Sequence, residues 1–340
     1  MVTIYKVAEK ARTSPGTVSK ALSNKGCVAE ETKRNIERIA KRLNYTPNLQ
    51  AQSLKTKKTY TLGLLIPDIS NPFYSAVTKG IYNRVREEGY HFILGNSYGD
   101  PIEELNILRM FHASQIDGLI LMAAEVEEDK NFFQHLSGLV NSGLPVVLCD
   151  RKTDHLLVDQ VRVDSVKGAY LATHHLIDLG HNRIGFINGS SRVLAGLERL
   201  KGYQKALIEH HILVDKNLIS EEGFNQEGGY RSMQKFLKMR QRPTAIFAAN
   251  DVIAFGAILA IREVKLKIPE KIAIVGFDDI ELASVVSPGL TTVAQPKEEQ
   301  GKIAASLLLE RINKTGPREP QKILLEPRLV VRESTISVRP

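Results

Sequence analysis

Apolar residues recur at helical spacing three times near the start of the chain. Ile4, Val7, Ala8 and Ala11 share one face of a helix over 4–11. After Arg12-Thr13 comes Ser14-Pro15, a Ser suited to capping a helix and a Pro suited to its first position. The spacing of Val18, Ala21 and Leu22 predicts a second helix over 15–22, ended by Asn24-Lys25-Gly26. Ile36, Ile39, Ala40 and Leu43 predict a third, from about 29–31 to 43. Three short helices with a tight first turn read as a helix-turn-helix, whose second helix would enter a major groove.

From Tyr60 the pattern changes. Short apolar runs at 61–67, 91–96, 118–122, 145–149, 161–163, 183–187, 244–248 and 271–275 read as buried strands. Helical patterns at 74–88, 102–112, 168–179, 196–210, 230–239 and 252–264 alternate with them. Such alternation predicts α/β architecture with parallel, doubly wound sheets, and too many units for one sheet of usual size. Two lobes are expected. Ligands bind such sheets beyond the strand C-termini. There the sequence places Asn71, Phe73 and Tyr74, then Asp150-Arg151, Asn188 to Ser191, Asn250-Asp251 and Asp278-Asp279. Carboxylates and amides hold sugar hydroxyls, and aromatic rings stack on sugar C–H faces. Each acid or amide alone could equally be a helix cap.

Charge sharpens this picture. Among 340 residues, 46 Lys and Arg against 38 Asp and Glu give +8, with 43% hydrophobic residues. Residues 1–58 carry +9 and the remainder −1. A basic head on a near-neutral body points to a polyanion bound at one end. No apolar run approaches a membrane span, and the N-terminus has no apolar signal region. A cytoplasmic, nucleoid-associated protein without membrane contact is expected. Cys27 and Cys149 fit neither a disulfide framework nor a zinc site, so two inert thiols are expected. Phosphate loops and a GxSxG elbow are absent, and the pairs His174-His175 and His210-His211 lack metal-ligand spacing. The reading is a binding protein and not an enzyme, with no cofactor.

The head carries Thr3-Ile4, Val7-Ala8, Ser14, Thr17-Val18-Ser19, Asn24, Thr32, Leu43-Asn44-Tyr45 and Pro47-Asn48 at fixed spacing. It resembles the lactose repressor/galactose repressor family of bacterial transcription regulators. The likeness continues through Pro67 to Tyr74, Gly180-His181, Gly202-Tyr203, Asn250-Asp251, Gly276 to Asp279 and Gln295-Pro296. It implies a head over 1–46, a hinge helix and linker over 47–59, and a two-lobed core over 60–340 similar to periplasmic sugar receptors. The lobes would comprise about 60–161 with 293–324, and about 162–292 with 325–340. Three crossings are implied, near 161–164, 292–295 and 324–327.

By position, Thr3, Ser14, Pro15, Gly16, Thr17, Ser19, Lys20, Asn24, Tyr45, Asn48 and Gln52 would meet DNA, and Leu54 would wedge a minor-groove step. Asp150, Arg199, Asn250 and Asp278 would anchor a small effector, with Asn71, Arg151 and an aromatic wall of Phe73 or Tyr74. The implied partners are operator DNA, a second copy of the chain and a sugar or derivative. Some relatives instead answer to a phosphorylated carrier protein, a sugar phosphate or a purine. Three residues depart from the family pattern: Arg12 replaces a small residue or Gly in the inter-helix turn, Lys20 replaces a frequent Arg, and Gln50 replaces a common apolar residue in the hinge.

Overall fold

The computed structural model describes residues 2–22, 28–45, 58–122, 130–153 and 155–335, and the chain divides into two compact units, Met1–Thr59 and Tyr60–Pro340. In the first unit, helices α1 (Ile4–Ala11), α2 (Pro15–Leu22) and α3 (Glu30–Arg42) lie where the periodicity puts them. Val7, Ala8, Val18, Ala21, Ile36, Ile39 and Ala40 form one buried cluster, seven side chains closing a very small core. Ser14 caps α2, its Oγ accepting from the Thr17 amide at 3.1 Å. Helix α3 begins with Glu30 and Glu31 and ends with Lys41 and Arg42, which suits its dipole.

Arg12 ends α1 in the left-handed region, at φ 53° and ψ 46°. That conformation costs an L-residue about 1–2 kcal/mol, and glycine escapes most of it. Arg12→Gly is expected to stabilise the head by about 0.5–1 kcal/mol after the added freedom of the unfolded chain is counted. Thermal melting of the full chain, followed on the head transition, checks this. A lowered melting point would show that the Arg12 side chain matters more than its backbone.

The second unit contains two six-stranded sheets. The first uses β1 (Thr61–Ile66), β2 (His91–Asn96), β3 (Gly118–Met122), β4 (Val146–Cys149), β5 (Asp159–Val163) and β11 (Lys322–Leu325). Their order is β11-β5-β4-β3-β1-β2, all parallel. Leu62, Leu64 and Ile66 face α4 (Pro72–Glu87) and α12 (Lys297–Asn313) on one side. Leu65, Leu119 and Leu121 face α5 (Pro101–Ala113) and α6 (Lys130–Asn141) on the other. Burial on both faces is why these strands read as unbroken apolar runs.

The second sheet uses β6 (Ile184–Asn188), β7 (Ile219–Glu221), β8 (Ala245–Ala248), β9 (Ala273–Asp278), β10 (Thr291–Ala294) and β12 (Arg328–Val330). The order is β12-β10-β9-β8-β6-β7, with β12 alone antiparallel. Helices α7 (Ser165–Asp178), α8 (Leu194–Glu209), α9 (Gln226–Leu237) and α10 (Asp251–Glu263) enclose it, and a short α11 (Leu282–Val285) follows β9. The chain passes from the first sheet to the second after Val163, returns after Ala294 and crosses again after Leu325.

The sequence pattern did not reveal α6, α12 or strands β7 and β10 to β12. Helix α12 explains its own concealment. It buries Gln300, Gly301, Ala304 and Ala305 as well as Leu307 to Leu309, so no clean apolar stripe marks it. A Cβ on Gly301 would stand 2.1 Å from the Val77 carbonyl oxygen. Only glycine lets α12 and α4 approach so closely.

Candidate functional site

In the head, α2 exposes Ser14, Gly16 and Lys20 and half-buries Pro15, Thr17 and Ser19. The Ser14 hydroxyl is engaged at the cap and lies 2.9 Å from the Thr17 hydroxyl. Thr3 is exposed ahead of α1. Tyr45 packs against the head core, and burial raises its hydroxyl pKa. Asn24, Asn48, Gln52 and Leu54 lie outside the described residues. Tyr5, absent from the sequence-based set, is 72% exposed on α1. Its signal was available: an aromatic ring placed off the apolar face of its helix.

The C-terminal ends of the strands in the second unit carry the chemistry. Asp150 follows β4, Asp278 closes β9, Asn250 caps α10 after β8, Arg199 lies on α8 and Tyr74 on α4. The Tyr74 hydroxyl is held well above its usual pKa, first by burial and then by Asp150 and Asp278, with Arg199 opposing. One phenol thus senses charges from both sheets, which places the four side chains in a common cleft. Asp278 is pushed up to about 6 by burial, against the pull of Arg199 and Gln295. Burial also raises Asp150, opposed first by Gln300 and then by Arg199. Asp278 is thereby held where proton uptake and hydrogen bonding to a ligand are both accessible.

Arg199 is nearly buried and multiply held. Its Nη2 lies 3.5 Å from Asp278, its Nη1 donates to the Ala249 carbonyl at 2.6 Å, and its guanidinium stacks 3.9 Å over Phe277. Its Nε finds no hydrogen-bond partner among the described residues. Gln295 donates to Asp278 at 2.7 Å, and Lys297 donates to the carbonyls of Asp278 and Asp279. Asp278 has φ 109°, Asp279 φ 52° and Asp150 φ 54°. Three non-glycine residues in the positive-φ region at one cleft store backbone strain that the surrounding bonds must hold.

Other expected residues take different places. Phe73 is 4% exposed in the core under the first sheet, so only Tyr74 is left as an aromatic wall. Arg151 pairs with Glu104 at 3.4 Å and lies 4.4 Å over the Phe132 ring, two partners from the first lobe. Asn71 and Asn250 cap helices, accepting from the Phe73 amide at 3.0 Å and the Ile253 amide at 2.7 Å. Asp251 is fully buried, accepting from the Ile280 amide and the Thr292 hydroxyl, and ties β9 to β10. Arg162 of β5 pairs with Glu198 of α8, joining the two lobes. Among the described residues no group of three or more His, Cys, Asp or Glu is placed to hold a metal ion.

Residues 3–48 match the family model of bacterial regulatory proteins, lacI family, and residues 173–335 match a periplasmic binding protein-like domain. The ribose operon repressor of Haemophilus influenzae is 38% identical over 340 residues, covering all of both chains. The chain belongs to the lacI family of bacterial regulatory proteins. The HTH-type transcriptional repressor PurR of Photobacterium profundum is 36% identical, over 98% of each chain. The crystal structure of the lac repressor dimer bound to operator and the anti-inducer ONPF superposes with a TM-score of 0.87 at 26% identity, over 99% of each chain. The regulator is therefore a DNA-binding transcription factor of a family with ligand-responsive members.

Proposed function

We propose that this regulator is a homodimeric repressor that binds a pseudo-palindromic operator and is switched by a sugar in the cleft. The observation that carries the sugar reading is the meeting of Tyr74, Asp150, Arg199 and Asp278 at the strand ends of both lobes. Carboxylates accept from ring hydroxyls, a guanidinium donates to them, and the Tyr74 ring offers an apolar face. Because the ligands come from two lobes, a bound effector favours one lobe arrangement. Its differential affinity for the two arrangements is the coupling to DNA. The likeness to a ribose operon repressor supports a sugar. The similar identity to PurR keeps a purine as the second reading.

The domain assignment follows the same reading: a head over 1–46, a hinge over 47–59 and a sensor core over 60–340. Twofold symmetry of operator and protein go together, and a dimer sets two such heads on one duplex. Contacts are assigned to Pro15, Gly16 and Lys20 for base edges, and to Thr17, Ser19 and Tyr5 for phosphates. No helix among the described residues is long and apolar enough to cross a membrane. Thermal-shift screening of the full chain against monosaccharides, sugar phosphates and purines tests the effector class, since a ligand that binds only the folded state raises the melting point. A response to purines alone would overturn the sugar reading.

Leu54 is assigned the wedge into the minor groove. Leu54→Ala is expected to weaken operator binding at least tenfold while much of the nonspecific binding survives, because the unstacking contact is lost and phosphate contacts remain. Fluorescence anisotropy on operator and scrambled duplexes reads both. Equal losses on the two would remove Leu54 from that role.

A further inference from the structure

Gln300 lies in the first turns of α12 and is 0% exposed. Neither its Nε2 nor its Oε1 has a hydrogen-bond partner among the described residues. A buried amide with both ends unmet is uncommon in a native protein. Its neighbour is the Asp150 carboxyl, whose upward shift it opposes without completing a well-formed bond. The backbone beneath it is fixed. The Gln300 backbone N–H donates to the Pro296 carbonyl at 2.8 Å, and Gly301 locks the helix against α4. The side chain therefore cannot withdraw with its helix to find water. Across the cleft, Arg199 Nε is also a buried donor with no hydrogen-bond partner among the described residues.

We propose that Gln300 is a specificity-determining residue of the effector cleft, whose amide reads one ligand group that donates and accepts at once. This rests on the sugar reading above. A hydroxyl beside Asp150 meets the requirement: its proton goes to the carboxylate or to Gln300 Oε1, and its lone pair accepts from Gln300 Nε2. A bare C–H at the same place satisfies neither end. The cleft then discriminates sugars by whether a hydroxyl stands at that corner, because a polar group left unpaired on binding costs more than an apolar contact returns.

A purely structural amide and a ligand-reading amide predict opposite signs in the empty protein. Gln300→Leu in the full chain removes two unmet polar atoms and is expected to raise the melting point by about 2–4 °C. The same variant is expected to bind D-ribose, or whichever monosaccharide shifts the wild type, at least tenfold more weakly by calorimetry. Gln300→Met, unbranched and of similar length, carries the same two expectations where Leu packs badly. A lowered melting point in both variants makes Gln300 a structural residue and overturns the proposal. Unchanged sugar affinity in a folded variant overturns it equally. Should no sugar shift the wild type, the sugar reading fails by itself. The melting point of the empty variants still decides, a rise keeping Gln300 as a ligand-reading group for another hydroxyl- or amide-bearing effector and a fall removing it.

Discussion

Asp278→Asn is expected to abolish the effector response, with affinity for the effector falling about 100-fold or more, and to leave operator affinity within about twofold. Asp278 stands where the cleft concentrates its interactions. Arg199 approaches it at 3.5 Å, Gln295 donates to it at 2.7 Å, and Lys297 holds its carbonyl. Replacing the carboxylate by an amide removes the charge that a ligand hydroxyl would meet but keeps an oxygen for Gln295. Alanine is the poorer test, since it removes the oxygen that both Arg199 and Gln295 meet and confounds binding with stability. Operator affinity is spared because the head is a separate unit with its own buried cluster. Anisotropy titrations with and without effector measure both quantities. Intact release from operator in Asp278→Asn would refute the assignment.

Operator affinity is expected to fall about 10³–10⁵-fold between 50 and 200 mM salt, as it does for proteins that neutralise six to ten phosphates. The reason is the +9 carried by residues 1–58, which a dimer presents twice to one duplex. Asp278→Asn should leave that slope unchanged. Lys20→Ala separates two roles. Loss of a phosphate contact lowers the slope by about 1 on every sequence, whereas loss of a guanine contact weakens binding at one base pair. A flat salt response would contradict the placement of DNA on the head.

Lys20 also shows how far the sequence alone reaches. Its exposure on α2 followed from the phase of Val18 and Ala21, which the helical spacing already gave. The same logic could not choose between Phe73 and Tyr74. Neighbouring residues on a helix point about 100° apart, and the turn after Asn71 decides which ring enters the core. Arg151 was undecided for another reason. A charge beside a strand end can turn toward the cleft or toward a helix of its own lobe, and Glu104 with Phe132 drew it inward. Gln300 was invisible because a single buried amide disturbs no period.

The sequence by itself determined the basic head with its three helices, the alternation that makes two parallel sheets, and the strand ends at which Asp150, Asn250 and Asp278 stand. Periodicity reports which positions leave water, and burial of apolar surface is non-directional, so pattern suffices for it. Only the tertiary structure decided which polar groups meet. It brought Asp150 and Tyr74 of one lobe to Arg199 and Asp278 of the other, paired Arg151 with Glu104, and left the Gln300 side-chain amide without a partner among the described residues. Hydrogen bonds and ion pairs depend on fractions of an ångström between residues distant in sequence, and that geometry is fixed only when the lobes close on one another.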